Sequence, residues 1–146
     1  MYRRFTLTLS AMIIACLPTA ASAAEVQVRM LNLGANGEEL VFEPALNTIA
    51  VGDTVTFVPG DKSLNVESIA QMLPRGAAPL QGAPGKRLSF TFTVPGVYGV
   101  KSAAQYENGM VGLIVVGDVA LQGVEALGVS PRKAQARFDA MFASLQ

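Results

Sequence analysis

The segment PGVYGVKSAAQYENGMVG, Pro95 to Gly112, decides the fold of this 146-residue chain. Its opening Pro-Gly is a turn signal, and the β-rich run Val97 to Lys101 that follows predicts a strand. A second β-rich run, Met110 to Val116, predicts the strand that closes the sheet. The segment therefore indicates two strands joined by a loop.

The same alternation of short β-rich runs and turn signals extends from Val26 to Gly117, which is typical of an all-β sandwich or barrel. In the run that starts at Thr54, Val55 and Phe57 lie on one face of a predicted strand. The clearest alternation places four side chains inward: Leu88, Phe90, Phe92 and Val94. The segment Gln71 to Gly85 is rich in Pro, Gly and Ala, so we expect a surface loop there.

Only the C-terminal tail has a helical pattern. Ser130 is a suitable N-cap, and Pro131 would occupy the first helical position, where its missing N–H costs nothing. Apolar residues then recur on one helical face: Ala134, Phe138, Met141, Phe142 and Leu145. A shorter helix is expected from Ala120 to Leu127. The pair of helices is expected to cover the sandwich; the alternative is a helix that binds a partner.

Residues 1–23 have the features of a secretory signal peptide. Arg3 and Arg4 form a basic start, the apolar run Phe5 to Ala15 is too short to span a bilayer, and Ala21-Ser22-Ala23 is a small-residue cleavage site. The alternatives are a membrane anchor, which the length of the run disfavours, and a lipoprotein signal acylated at Cys16. We predict a soluble, monomeric periplasmic protein of one domain, residues 24–146.

The predicted mature chain has neither Cys nor His, because Cys16 is the only cysteine and the sequence contains no histidine. Two of the eleven basic residues lie in the leader, so nine basic and eleven acidic residues remain, a net charge of −2. This balance indicates no nucleic-acid partner. Without an imidazole base or a thiol nucleophile, an enzyme is not expected.

The segment 95–112 resembles the copper loop of pseudoazurins, which are small blue-copper cupredoxins. In that family Gly-Val-Tyr-x-Val-Lys-Cys is followed by two residues, a His, four residues, a Met and Val-Gly. Further matches are the runs 41–44, 52–57 and 134–137. The resemblance implies a cupredoxin-like Greek-key β-sandwich with two C-terminal α-helices, in which residues 118–146 are a helical tail packed on the sandwich.

The resemblance also identifies four positions at which the family binds copper through two His, one Cys and one Met. Here they are Leu64, Ser102, Gln105 and Met110. The Ser102 hydroxyl does not ionise near neutral pH and cannot replace a thiolate. Leu64 has no donor atom, and Gln105 has only a neutral amide. Because a single thioether cannot hold the metal, we predict no copper and a pocket refilled by Leu64 and Met110.

Two other features of this region bear on the site. Asn65 matches the family's Asn that joins the two ligand loops, so we predict that it still hydrogen-bonds to the Ser102 segment. A hard-cation site built from Glu107, Asn108, Gln105 and Ser102 is conceivable, but such sites use several carboxylates and only one is present.

The family docks to acidic redox partners, such as nitrite reductase, through a ring of lysines. Lys62 and Lys101 are retained here, whereas Leu33 and Ala35 replace lysines of the first loop. A weaker positive field lowers the rate of association with an acidic partner.

Two functional hypotheses follow. The first is a metal-free cupredoxin that binds an unidentified periplasmic protein or small ligand, or has a structural role. The alternative is the family's function, electron transfer through blue copper. The replaced ligands favour the first.

Overall fold

The structure, a computed structural model, describes residues 17, 18, 20–121 and 131–146. These residues form two four-stranded β-sheets and one C-terminal α-helix. The strands are β1 (Glu25–Leu33), β2 (Glu39–Glu43), β3 (Leu46–Ile49), β4 (Thr54–Pro59), β5 (Glu67–Ser68), β6 (Leu88–Thr91), β7 (Gly96–Lys101) and β8 (Val111–Val116), and the helix is α1 (Arg132–Ser144).

The two sheets share one core. The first has the strand order β2-β1-β4-β6 and the second β3-β8-β7-β5. Strands β1 and β4 are parallel, as are β3 and β8, and the remaining pairs are antiparallel. The chain crosses from the first sheet to the second between β2 and β3 and returns at β4. The prediction of an all-β sandwich is confirmed.

Alternation of apolar and polar residues explains the inner face of the first sheet. Val28 of β1 lies beside Phe57 of β4, and each side chain is 1% exposed. Val55, two residues before Phe57, is also fully buried. Phe92, just after β6, is buried in the same core, with Phe90 half-buried against it. These inward positions agree with the sequence prediction, because side chains on a strand alternate between faces.

Strand β8 is buried on both faces. Ile114 and Val116 belong to the core between the sheets, whereas Val111 and Leu113 pack in a second cluster with Phe138 and other residues of α1. Helix α1 therefore covers the outer face of the second sheet. Ala134, Phe138 and Phe142 are buried and Met141 and Leu145 are partly buried, so the predicted apolar face is confirmed and is turned toward the sandwich.

The helical tail differs from the prediction at its start. Pro131 has extended dihedral angles and is the N-cap of α1, so it is not the first helical residue; its carbonyl accepts the N–H of Gln135. Ala120 and Leu121 are not helical. The remainder of the predicted first helix, the predicted N-cap Ser130, and residues 1–16 with Cys16 lie outside the described residues.

The expectation of a surface loop from Gln71 to Gly85 is wrong in part. Met72 ends a short 3₁₀ helix and is buried, and Leu80 is 1% exposed within the core between the sheets. Composition did not reveal this burial, because single apolar residues in a Pro- and Gly-rich segment have no periodicity to mark them.

Candidate functional site

The candidate site lies where the β7–β8 hairpin ends. Strands β7 and β8 pair from Gly96 with Val116 to Lys101 with Val111, so residues 102–110 form the connecting loop. The Ser102 N–H donates to the carbonyl of Met110 at 3.1 Å and closes the base of that loop. The first and last members of the predicted ligand set on this hairpin are thus fixed by backbone pairing.

The four predicted positions differ in burial. Leu64, Ser102 and Met110 are each 0% exposed, whereas Gln105 is half-buried. Leu64 and Met110 belong to the same cluster of buried apolar side chains, the core between the sheets. Leu64 therefore functions as a core residue, and the end of the sandwich is filled by apolar packing there.

Asn65 joins three segments around Ser102. Its Oδ1 accepts the Ala103 N–H at 2.8 Å and the Ser102 hydroxyl at 3.4 Å. Its Nδ2 donates to the carbonyl of Gly82 at 3.0 Å, and its backbone N–H donates to the Ser102 Oγ at 3.3 Å. The predicted bridge from Asn65 to the Ser102 segment is confirmed. The bond to Gly82 was not predicted, because a backbone carbonyl acceptor has no sequence signal.

Replacing Asn65 by alanine is expected to lower the free energy of unfolding by about 1–3 kcal/mol, because it removes the side-chain bonds to the buried Gly82 carbonyl and to the partly buried Ala103 N–H. Urea unfolding followed by circular dichroism measures this change. The matched control is Asn108→Ala in the loop that follows, where the side-chain bond is exposed and a change within about 0.5 kcal/mol is expected. Equal effects of the two substitutions would show that Asn65 does not hold the loops together.

The Gln105 side chain is engaged within its own loop. Its Oε1 accepts a hydrogen bond from Asn108 Nδ2 at 2.9 Å, and its backbone carbonyl accepts the N–H groups of Asn108 and Met110. The side-chain oxygen of Gln105, which could have bound a metal, thus accepts an exposed hydrogen bond within the turn.

Tyr106, within this loop, packs beside the charged pair of Lys101 and Glu67. Lys101 Nζ lies 4.7 Å from the centre of the Tyr106 ring and 3.6 Å from Glu67 Oε1. Burial raises the pKa of Tyr106, and the negative charge of Glu107 raises it further. The phenol therefore stays neutral at physiological pH, and the positive charge of Lys101 is partly neutralised by Glu67.

Arg137 of α1 holds the far side of the loop. Its guanidinium donates to the carbonyls of Gly109, Leu40 and Glu39 at 2.6–2.7 Å, and its Nε lies 3.2 Å from Glu38 Oε1. Gly109 has a positive φ of 86°, and a Cβ there would lie 2.9 Å from the Cβ of Lys133. Gly109, the residue before Met110, is thereby held against α1 and linked to β2 through Arg137. The sequence reasoning missed this role of Arg137, since its acceptors are up to 98 residues away.

Comparison with known proteins identifies the family. Residues 28–117 match the family model of copper binding proteins, plastocyanin/azurin family. The chain is 39% identical over 142 residues to the pseudoazurin of Paracoccus pantotrophus, covering 96% of this chain and 97% of that protein. The chain belongs to the pseudoazurin family. The prediction made from the 95–112 segment is confirmed.

Other pseudoazurins are similar to this chain in both sequence and fold. The pseudoazurin of Methylorubrum extorquens is 43% identical over 140 residues, covering 95% of this chain and 93% of that protein. The crystal structure of pseudoazurin from Methylobacterium extorquens AM1 superposes with a TM-score of 0.76 at 41% identity, covering 84% of this chain and 99% of that one. The fold is therefore that of a cupredoxin.

The residues at the four positions that the resemblance predicts as copper ligands do not fit a blue-copper ion. Such ions take two imidazoles and a thiolate in one plane with a weak axial thioether. Met110 supplies the thioether alone, Ser102 supplies a neutral hydroxyl already bonded to Asn65, and Leu64 supplies no donor. Across the described parts of the chain, no three His, Cys, Asp or Glu side chains group closely enough to hold a metal ion.

Proposed function

We propose that this pseudoazurin-family cupredoxin works without type 1 copper, as a binding or structural module of the periplasm. The observation that carries the proposal is the complete burial of Leu64, in the core, at a position where the family has an imidazole ligand. A buried leucine in place of the ligand leaves neither a donor atom nor an open position for the ion. The hydrogen bonds between Asn65 and the Ser102 segment support it, because they close the two loops around an apolar filling.

Cupredoxins of this type are electron-transfer proteins and in general not enzymes, and we propose no catalytic role for this chain. Its site offers no imidazole and no thiolate to act as base or nucleophile. One-electron transfer at a blue centre depends on the metal and its thiolate ligand, so the same substitutions argue against the family's own function here.

The charge around the loop supports a change of partner. Leu33 is 62% exposed and Ala35 is exposed at positions where the family has lysines, and Glu107 adds an exposed carboxylate. Lys101 is paired with Glu67 and so contributes less to a positive field. We infer a partner, protein or small ligand, that is not selected by negative charge, and we expect the protein itself to be a monomer.

Pseudoazurins are periplasmic, and we propose the same location for this chain after removal of residues 1–23. In the part of the chain that the structure describes, no helix has both the length and the apolar character needed to cross a bilayer.

Metal analysis of the native protein tests the proposal. We expect protein exported to the periplasm of cells grown with copper to contain far less than one copper per chain and to be colourless. Elemental analysis and a visible absorption spectrum of the same sample measure both. One copper per chain together with an intense visible band would show that the chain is an electron carrier after all.

A further inference from the structure

Among the described residues, the hydrogen bonds of the fold begin at Ala24, the residue at which the mature chain is predicted to start. Its backbone N–H donates to Asp53 Oδ1 at 2.9 Å, and its carbonyl accepts the Thr54 N–H at 3.0 Å. Strand β1 starts at the next residue, Glu25. Ala23 and Ala24 are both exposed, so the peptide bond between them lies at the surface, directly before the first residue that the sandwich holds.

The carboxylate that accepts this bond is buried and rigidly placed. Asp53 is 8% exposed, and its second oxygen accepts the Ala50 N–H at 2.9 Å. Its backbone is fixed as well, since its N–H donates to the carbonyl of Ala50 and its carbonyl accepts the Phe92 N–H. Within residues 17, 18, 20–121 and 131–146, the ion pairs are Lys101–Glu67 and Arg137–Glu38, and neither includes Asp53.

A buried carboxylate is normally accompanied by a positive charge. While the leader is attached, Ala24 offers only a neutral amide N–H. Once the bond after Ala23 is hydrolysed, the same nitrogen is an α-amino group, which is protonated at neutral pH. The nitrogen atom already lies at ion-pair distance from Asp53 Oδ1. A charged donor in a hydrogen bond of this length is roughly twice as strong as a neutral one.

We propose that removal of the leader completes an ion pair between the new N-terminus at Ala24 and Asp53, which locks the start of β1 onto the turn before β4. A signal peptidase adds one water across the Ala23–Ala24 peptide bond; Ala23 leaves with the carboxylate and Ala24 keeps the ammonium. The mature chain is therefore more stable than the precursor. The proposal rests on the predicted cleavage after Ala23 and is independent of whether copper binds.

The position of the cleavage is part of the proposal. Each extra residue moves the ammonium by up to about 3.5 Å along the chain, which takes it out of contact with a carboxylate that is fixed in place. A chain that begins at Ala21 or Ala23 keeps the amide bond of Ala24 and loses the ion pair. Only cleavage between Ala23 and Ala24 therefore forms the ion pair and raises the stability of the mature chain.

A double-mutant cycle on purified protein tests the ion pair. Four chains are released from a fusion with a protease that leaves no residue behind: 24–146 and 21–146, each with Asp53 or with Asp53→Asn. With Asp53 present, we expect the extension to lower Tm by about 3–8 °C. In the Asp53→Asn background we expect the two lengths to have the same Tm within about 1 °C. Equal Tm values for the two lengths with Asp53, or an equal loss in both backgrounds, would overturn the ion pair.

Acetylation of Ala24 in the 24–146 chain provides a second variant if Asp53→Asn does not fold. It removes the charge and keeps an N–H donor, so we expect a loss in Tm like that of the extension, and added salt should reduce the difference from the free amine. No loss on acetylation would contradict the proposal. N-terminal sequencing of the exported protein tests the cleavage separately, and a first residue other than Ala24 would refute the coupling to processing. Neither readout depends on the copper measurement.

Discussion

The combined substitutions Leu64→His, Ser102→Cys and Gln105→His are expected to give this chain a copper site with an intense visible absorption. They restore two imidazoles and a thiolate beside Met110, the donor set of a blue-copper centre. The backbone that would carry them is already in place, because the Ser102 N–H is bonded to the Met110 carbonyl and Asn65 is bonded to the Ala103 N–H. Neither bond involves a side chain that the substitutions change.

Before copper is added, the triple variant is expected to be less stable than the unchanged chain, because an imidazole replaces an apolar side chain in the core at Leu64. Bound copper should more than offset this loss. At a free concentration about 1,000 times Kd the ion adds about 4 kcal/mol to the free energy of unfolding, which corresponds to a rise in Tm of more than about 10 °C. Titration with Cu(II), followed by absorption and by thermal unfolding, measures both effects.

The double variant Leu64→His with Gln105→His is the matched control for the triple variant. It lacks the thiolate, so any copper it binds should give no intense visible band. A triple variant that is folded, as shown by its circular dichroism spectrum, and yet binds no copper would contradict the expectation. That result would mean that the loops around Ser102 have moved from the geometry that the family uses.

Local pattern predicted the regular parts of this fold well. Alternation in β4 placed Val55 and Phe57 on one face, which is the core face. Helical spacing in the tail placed Phe138 on the helix face that packs on the sandwich. In both cases the burial of one residue could be predicted from its neighbours, because one face of a strand or helix is buried along its whole length. The bridge from Asn65 to Ser102 was predicted only through the family resemblance.

Contacts between distant residues could not be predicted in this way. The bonds of Arg137 to the carbonyls of Gly109 and Leu40, and the bond of Ala24 to Asp53, join segments 28–97 residues apart. Each depends on where two elements meet after folding, and in each bond one partner is a backbone group, which has no residue type to mark it. Leu80 is a similar case, since it reaches the core from a segment with a loop composition.

Replacing Leu64 by alanine is expected to lower the free energy of unfolding by about 2–5 kcal/mol, while Leu64→Met should cost less than about 1.5 kcal/mol. The side chain is 0% exposed in the main core, so its truncation removes apolar contacts and leaves a cavity. Methionine keeps most of the volume and adapts its shape. Chemical denaturation of the three proteins under the same conditions measures the differences.

Leu33→Ala is the control for Leu64→Ala, because it makes the same change of residue at an exposed position. This leucine is 62% exposed at the end of β1, so its loss should change the free energy of unfolding by no more than about 0.5 kcal/mol. If Leu64→Ala lowers the free energy of unfolding as little as Leu33→Ala does, apolar packing does not close the site, and a cavity at this position would be available to a ligand. A large loss at Leu64 alone means that this leucine, at a position where the resemblance predicts a copper ligand, stabilises the fold. A metal site there would then require the replacement of a core residue.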